Sequence, residues 1–278
     1  MRVLVLGGSG MLGSDLVPEL RQRGHEVLAP TRQELDLEDL EQIATIAQLE
    51  LDWVINCAAY TAVDQAESEP DEAAWLNTLV PRYVAMACAL GGCRMVHIST
   101  DFVFDGQSEQ PYKEDAETNP LQVYGQTKSD GEEAVLSALP TAWVVRTSWL
   151  YGVHGKSFPR TMIGACRAGK ALRVVADQVG CPTFTPELAR VLADLIEIQG
   201  GGGLLHASGP DAMSWYDFAR LFLGKETNIE PIPTDAWPTP AKRPRYSVLD
   251  CAKLVTLGIA PMEPASQSIA RFLAALEG

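Results

Sequence analysis

Tyr124 and Lys128 stand four residues apart in the stretch VYGQTKSDGEE, residues 123–133. On a helix that spacing puts a phenol and an ammonium on one face, one turn from each other. A lysine charge roughly 5 Å from a phenol, at an effective dielectric of about 20, favours the phenolate by about 3 kcal/mol, or about two pKa units. A phenol tuned in that way is a candidate general acid near neutral pH. The stretch accepts a cost to carry the pair. Gly125 and Gly131 each weaken a helix by about 1 kcal/mol relative to alanine. The plain alternative is an exposed helix in which Lys128 pairs with Glu132, also four residues on.

A second pattern, GGSGMLG at 7–13, follows an apolar run and opens a helix. Gly8, Gly10 and Gly13 satisfy G-x-G-x-x-G, and Gly7, Gly10 and Gly13 the related G-x-x-G-x-x-G. Glycine permits the tight turn there. It also lets backbone N–H groups, with Met11 and Leu12 opening the helix, approach a pyrophosphate at the positive end of the helix dipole. Past the next strand an NAD-type site usually offers an acid to the adenosine ribose. This chain offers Thr31 and Arg32, so a guanidinium is placed to engage a 2′-phosphate. That favours NADPH over NADH by a modest factor. Asp36 and Leu37 are positioned to flank an adenine edge, with a helix N-cap as the competing role for Asp36.

The elements that position these residues are legible as alternating runs. RVLVLG (2–7), EVLAP (26–30), DWVINCA (52–58), RMVHIST (94–100) and AWVVRTS (142–148) read as strands, with helices over about 11–23, about 70–90 and through Tyr124. Unbroken Val, Leu and Ile runs indicate a sheet covered on both faces. Alternating β and α elements indicate a Rossmann-type, doubly wound parallel α/β sheet. Residues 1–150 make the dinucleotide-binding domain and 151–278 mainly a smaller substrate-binding lobe. The segment around 183–209, which holds the amphipathic helix TPELARVLADLIEI, is placed to return to the first domain.

Composition bounds the function classes. The chain has 278 residues, 46% of them hydrophobic and 21% charged, an ordinary globular balance with enough material for a sizeable core. A net charge of −14 opposes a nucleic-acid surface, so phosphate binding must rest on helix N-termini and single arginines. No apolar run approaches the ~18 residues of a membrane span. The short apolar run at the start lacks a cleavage pattern and reads as a strand, which places the chain in the cytoplasm. Six cysteines without Cys-x-x-Cys or zinc spacing read as reduced thiols. Of the four histidines, His97 and His206 sit in strands as structure, while His25 and His154 fall in loops; none has a partner pattern.

Taken together, these residues resemble the extended short-chain dehydrogenase/reductase superfamily and, within it, the dTDP-4-dehydrorhamnose reductase family. The resemblance runs through GGSGMLG, VINCAAYTAVDQAE, HISTDFVFDG, YGQTKSDGE, VVRTSWLYG, DQVGCPT, SWYDFA and RPRYSVLD. It implies reduction of the 4-keto group of a dTDP-linked 6-deoxyhexose to dTDP-L-rhamnose, for a cell-surface polysaccharide such as lipopolysaccharide. Thr100, Tyr124 and Lys128 match the catalytic group. A hydride placed on the ketone carbon leaves an alkoxide, which Tyr124 protonates. Thr100 donates to the same oxygen, Lys128 holds the nicotinamide ribose, and Gly125 lets cofactor or backbone come close. Ala58, Ala59 and Tyr60 match a loop over the cofactor, followed by Asp64. Val63, Thr100, Asp101, Phe102, Trp149 and Arg243 match positions that approach the nucleotide-sugar. Phe102 departs from a tyrosine common in the family, and Ser157 from an asparagine. Some members use magnesium; Asp15 and Glu187 are the carboxylates in place for it, against a simpler role as solvated helix acids. A homodimer is the candidate assembly. Competing classes are an epimerase or dehydratase of the same superfamily and a non-catalytic nucleotide-binding subunit. Phe102 opposes a dehydratase, which usually has a glutamate there, and the Tyr/Lys pair opposes a subunit without catalysis.

Overall fold

The structure, a computed structural model, describes residues 1–277. β1 (Arg2–Leu6) leads through the glycine turn into α1 (Met11–Gln22), and β2 (Glu26–Leu28) follows. Next come α2 (Leu40–Ala44), β3 (Trp53–Asn56), α3 (Val63–Ala66), α4 (Pro70–Ala74) and α5 (Val80–Gly91), with a wider π turn over Trp75–Leu79. β4 (Arg94–Thr100), α6 (Val123–Ala138) and β5 (Trp143–Thr147) complete the alternating pattern. Beyond it lie β6 (Leu150–Tyr151), α7 (Phe158–Arg167), β7 (Leu172–Val175), β8 (Val179–Gly180), β9 (Thr183–Phe184) and α8 (Thr185–Glu197). The chain ends with β10 (Gly203–His206), β11 (Met213–Ser214), α9 (Trp215–Leu223), β12 (Ile229–Ile232), α10 (Ala252–Thr256) and α11 (Ala265–Glu277). Among the described residues no helix is long and apolar enough to cross a membrane, and the six cysteines are free.

Six strands form one parallel sheet in the order β10-β5-β4-β3-β1-β2. The apolar runs are explained by its two covered faces. Val3 and Val5 pack with Leu16 and Leu20 of α1 and Leu188 and Leu192 of α8. Leu4 and Leu6, pointing the other way, join Val84 and Cys88 of α5 and Val135 of α6. Each such buried side chain contributes about 1.5–3 kcal/mol. Strand order reverses beside β1, so a crevice opens beyond the carboxyl ends of β1, β3 and β4. An aromatic cluster of Tyr151, Phe184, Phe218, Phe222 and Phe272 forms a core separate from those of the sheet.

One ion pair is sealed inside the sheet layer. Glu132 on α6 accepts from Arg146 Nε and Nη2 on β5 at 2.9 and 2.6 Å, and from Ser99 Oγ at 2.5 Å. Both charged side chains are nearly inaccessible, at 2% and 5% exposed. Removing one partner of such a pair leaves an uncompensated charge, at a cost of about 3–5 kcal/mol. Arg146→Met should therefore lower unfolding stability by about that amount in chemical denaturation, and Glu132→Leu added to it should recover most of the loss.

Candidate active site

A cavity of about 790 Å³ occupies the crevice at the carboxyl ends of the strands. At its floor the glycine turn is shaped by backbone approach. Gly7 has φ +74°, and a β-carbon there would lie 2.8 Å from the Ala58 nitrogen. Gly10 precedes α1 without any side-chain cap, so the first-turn amides, beside the cavity-lining Met11 and Leu12, remain available to an anion. Gly13 does not line the cavity. Its bare α-carbon packs against Gly7 and Gly8, which seats α1 on the turn. Ser9 lines the cavity instead, a position the glycine pattern leaves unspecified.

At the end of the cavity beside β2 the wall includes Pro30, Arg32, Leu35, Asp36 and Leu37. The absence of an acid directly after β2 is offset by chain folding. Arg32, 72% exposed at its side chain, lies 2.5 Å from Glu38 Oε1 and 3.7 Å from Asp36 Oδ1. A phosphate at Arg32 therefore has to compete with two carboxylates. Asp36 is not a helix cap; α2 is capped by Asp39, while Asp36 Oδ1 accepts from the Glu38 amide at 3.0 Å. In the loop after β3, Ala58, Ala59, Thr61 and Val63 face the cavity. Tyr60 does not. Its hydroxyl donates to Glu69 Oε2 at 2.6 Å, and its amide donates to Asn77 Oδ1 at 2.9 Å.

Thr100, Asp101, Phe102, Tyr124 and Lys128 converge on one wall. Thr100 ends β4; its Oγ1 donates to Asp101 Oδ1 at 3.1 Å and accepts from the Phe102 amide at 3.2 Å. The Tyr124 ring stands edge-on to Phe102, centroids 6.0 Å apart. Gly125 is needed for backbone, because a β-carbon there would collide with the Phe102 carbonyl oxygen. The exposed-helix alternative fails: Lys128 is 1% exposed and turned inward. Its Nζ donates to the Ile98 carbonyl at 2.5 Å and lies 3.3 Å from His97 Nε2, while Glu132 is occupied by Arg146.

Burial, rather than the lysine charge, sets the phenol. It pushes Tyr124 up to about 12, with the Thr100 hydroxyl pulling down and the Asp101 carboxyl pushing up. The expected downward shift is thus reversed. The same burial pushes Lys128 down to about 8, against the pull of Glu132 and Cys57. Low dielectric disfavours whichever form is charged, so the acid rises and the base falls.

Toward the smaller lobe, Trp149 adopts φ +47°, a backbone region costly for a bulky side chain. Its indole stacks on Trp215 with centroids 3.5 Å apart, and Gly180 leaves room for it. A second cavity of about 220 Å³ adjoins, lined by Val63, Phe102, Trp149, Trp215, Gln178 and Arg243 among others. The Arg243 guanidinium grips Asp64 with both terminal nitrogens, at 2.5 and 2.8 Å, at the wall of this second cavity. Trp215 and Gln178 lie within the stretches SWYDFA and DQVGCPT, yet nothing in their local sequence shows that they turn toward the site. The magnesium expectation does not fit. Asp15 accepts from Thr185 at 2.6 Å and Glu187 is held by Arg271 at 2.6 Å. Among the described residues no group of three or more His, Cys, Asp or Glu side chains could hold a metal ion.

The family profile described as "RmlD substrate binding domain" matches residues 1–277. The chain belongs to the dTDP-4-dehydrorhamnose reductase family. Its members are oxidoreductases. A dTDP-4-dehydrorhamnose reductase from Clostridium acetobutylicum superposes with a TM-score of 0.96, at 36% identity over 100% of both chains. The family member from Bacillus anthracis, solved in complex with NADP, gives 0.94 at 34% identity over 99% of each chain. A probable dTDP-4,6-dihydroxy-2-methyloxan-3-one 4-ketoreductase from Streptomyces antibioticus is 43% identical over 273 residues, covering 94% of this chain and 91% of its own.

Asp101, buried beside Thr100 and Phe102, has its carboxyl pushed up to about 7 by burial, against hydroxyls of Ser247 and Thr100. Its reference value is 3.8, so the folded chain holds this proton more tightly than the unfolded one. The resulting stabilisation is complete below the reference value and is lost as pH rises through about 7. Asp101→Asn, which cannot ionise, should gain in Tm relative to the parent between pH 4 and pH 8, measured by thermal melts across that range.

Proposed function

We propose that the protein uses NADPH to reduce the 4-keto group of dTDP-4-dehydro-6-deoxy-L-mannose, giving dTDP-L-rhamnose for a cell-surface polysaccharide. The observation that carries this reading is one cavity holding both an uncapped helix N-terminus with its glycine turn and the Thr100, Tyr124 and Lys128 group. These residues fit a dinucleotide. Gly7, Gly10, Met11 and Leu12 would take the pyrophosphate, and Asp36 and Leu37 the adenine side. Ala58 and Ala59 would cover the middle, with Lys128 near the nicotinamide ribose. When bound, the reduced nicotinamide supplies a hydride to the sugar carbonyl carbon. Tyr124, kept protonated at neutral pH by burial, gives its proton to the resulting alkoxide, a far stronger base. Thr100 donates to the same oxygen and fixes its position. Phe102 offers no group to move a second proton, which separates a simple reduction from a dehydration. Val63, Asp101, Trp149 and Arg243 surround the side from which a nucleotide-sugar would enter. The names of the relatives support a dTDP-linked keto sugar. The Streptomyces antibioticus relative favours a second reading, a dTDP-4-keto-2,6-dideoxyhexose, which lacks the 2-hydroxyl.

With purified chain and dTDP-4-dehydro-6-deoxy-L-mannose, turnover of NADPH should yield dTDP-L-rhamnose. Faster reduction of a dTDP-4-keto-2,6-dideoxyhexose would establish the second reading instead. Tyr124→Phe should lower kcat by at least about 100-fold while cofactor binding by titration stays near normal, since only the proton donor is lost.

Cofactor preference rests on Arg32. If its guanidinium leaves Glu38 for the 2′-phosphate, the contact contributes about 1–2 kcal/mol, a roughly 5- to 30-fold preference for NADPH. Arg32→Ala should abolish that ratio in kcat/KM while leaving NADH nearly unaffected. An unchanged ratio would show that Arg32 does not read the phosphate.

A further inference from the structure

Asn56, His97 and Lys128 form a buried line from β3 through β4 to α6. His97 is wholly buried, with Nε2 3.3 Å from Lys128 Nζ and Nδ1 3.2 Å from Asn56 Nδ2. The amide of Asn56 has a defined orientation, because its Oδ1 accepts the Ala58 N–H at 3.1 Å. Nδ2 is left facing the ring. An amide nitrogen only donates, so His97 Nδ1 must be the acceptor and the single proton of the neutral imidazole sits on Nε2. That N–H points at Lys128. An ammonium there sets donor against donor. A neutral amine can accept from Nε2 with its lone pair and still donate to the Ile98 carbonyl at 2.5 Å.

We propose that His97, locked in its Nε2–H tautomer by Asn56, is a positioning residue that holds the Lys128 side chain and stabilises its neutral amine. The proposal rests on the reductase reading for its catalytic meaning. Tyr124 becomes a phenolate each time it protonates an alkoxide. The Lys128 ammonium, one turn on in α6, returns a proton to the phenolate by way of water in the cavity and leaves the amine that His97 stabilises; solvent then returns the ammonium. Above the titration of Lys128 this supply fails, so activity falls on the alkaline side.

The groups facing Lys128 are few. Glu132, one turn on in α6, is committed to Arg146 of β5 and to Ser99 of β4. Cys57, just beyond β3, has its thiol pushed up to about 12 by burial, against the pull of the Lys128 charge. Tyr124, one turn earlier in α6, is a neutral phenol. His97 itself is held well below its ordinary value by burial and by the lysine charge. No unpaired carboxylate competes with the Nε2–H for control of the amine.

The test is a pH titration of the Lys128 side-chain nitrogen by NMR on lysine-labelled protein, assigned by its loss in Lys128→Met, with alkaline kcat profiles beside it. In wild type, Lys128 should titrate well below the other lysines. In His97→Leu it should rise by at least about one unit, and the alkaline limb of kcat should move up with it. His97→Gln, whose amide nitrogen donates from a similar place, should restore both toward wild type. Asn56→Leu removes the donor that fixes the tautomer, lets Nε2 accept from the ammonium, and should also raise Lys128 without adding a charge. Thermal melts identify folded variants, and Asn56→Leu carries the test if His97→Leu does not fold. Unchanged titration of Lys128 in folded variants overturns the proposal, as does a fall in kcat with the alkaline limb unmoved. The NMR measurement needs no substrate. A wild-type chain inactive on every dTDP-4-keto sugar would therefore count against the functional reading alone.

Discussion

The structure depends on keeping the amine of Lys128 out of water. Burying an ammonium costs several kcal/mol even after relaxation, so the surroundings must supply fixed partners. They do so by bringing backbone closer than side chains allow. At Gly125 and Gly131 a β-carbon would collide with the carbonyls of Phe102 and Asn77, so both glycines let α6 settle against its neighbours. Asn77 then ties the layers together. Its amide bonds both the N–H and the carbonyl of Tyr60, and also the Thr127 hydroxyl. The lysine that emerges from this helix can only point inward.

Apart from Lys156 at its edge, the cavity is consequently poor in free charge, although the whole chain carries −14. Tyr124, Lys128 and Asp101 are all shifted toward their neutral forms. The two arginines at its edges are already matched, Arg32 with Glu38 and Arg243 with Asp64. A phosphate oxygen that reaches either guanidinium takes over donors now given to a carboxylate. Such an exchange contributes only the difference between two charge-assisted bonds, so these arginines select between anions more than they attract them. The uncapped amides of α1 carry no such competitor.

What the sequence revealed follows the range of the interactions involved. Strands and the glycine turn were legible because burial and tight turns act locally: Val3 to Leu6 are apolar at every position and are covered on both faces. The Tyr124 and Lys128 spacing was legible for the same reason. The direction of the phenol's shift was not, because spacing shows the nearby charge but not the burial that outweighs it. Tyr60 lies in the predicted loop yet turns to Glu69, nine residues away. The acids beside Arg32 were visible as letters, but the turn that folds them back was not. His97 reads as an ordinary strand residue, since its partners Asn56 and Lys128 are 41 and 31 positions distant. Trp149 and Trp215 meet from elements far apart in the chain.

The sheet order has a consequence for how the chain is made. β10 pairs with β5 in parallel register, Gly203 against Trp143 through His206 against Arg146. A nascent chain that has delivered only its first 150 residues exposes β5 as a bare edge. The apolar face that α8 covers is bare as well. Such an edge is a template for pairing with other chains. It stays open until the ribosome has released about 50 further residues, several seconds at elongation rates of roughly 5–20 residues per second. Tyr151, Leu172, Val174 and Phe184 emerge within that interval, but the partners they pack on, Phe218, Phe222 and Phe272, come later, so the sheet can close before the second core is complete.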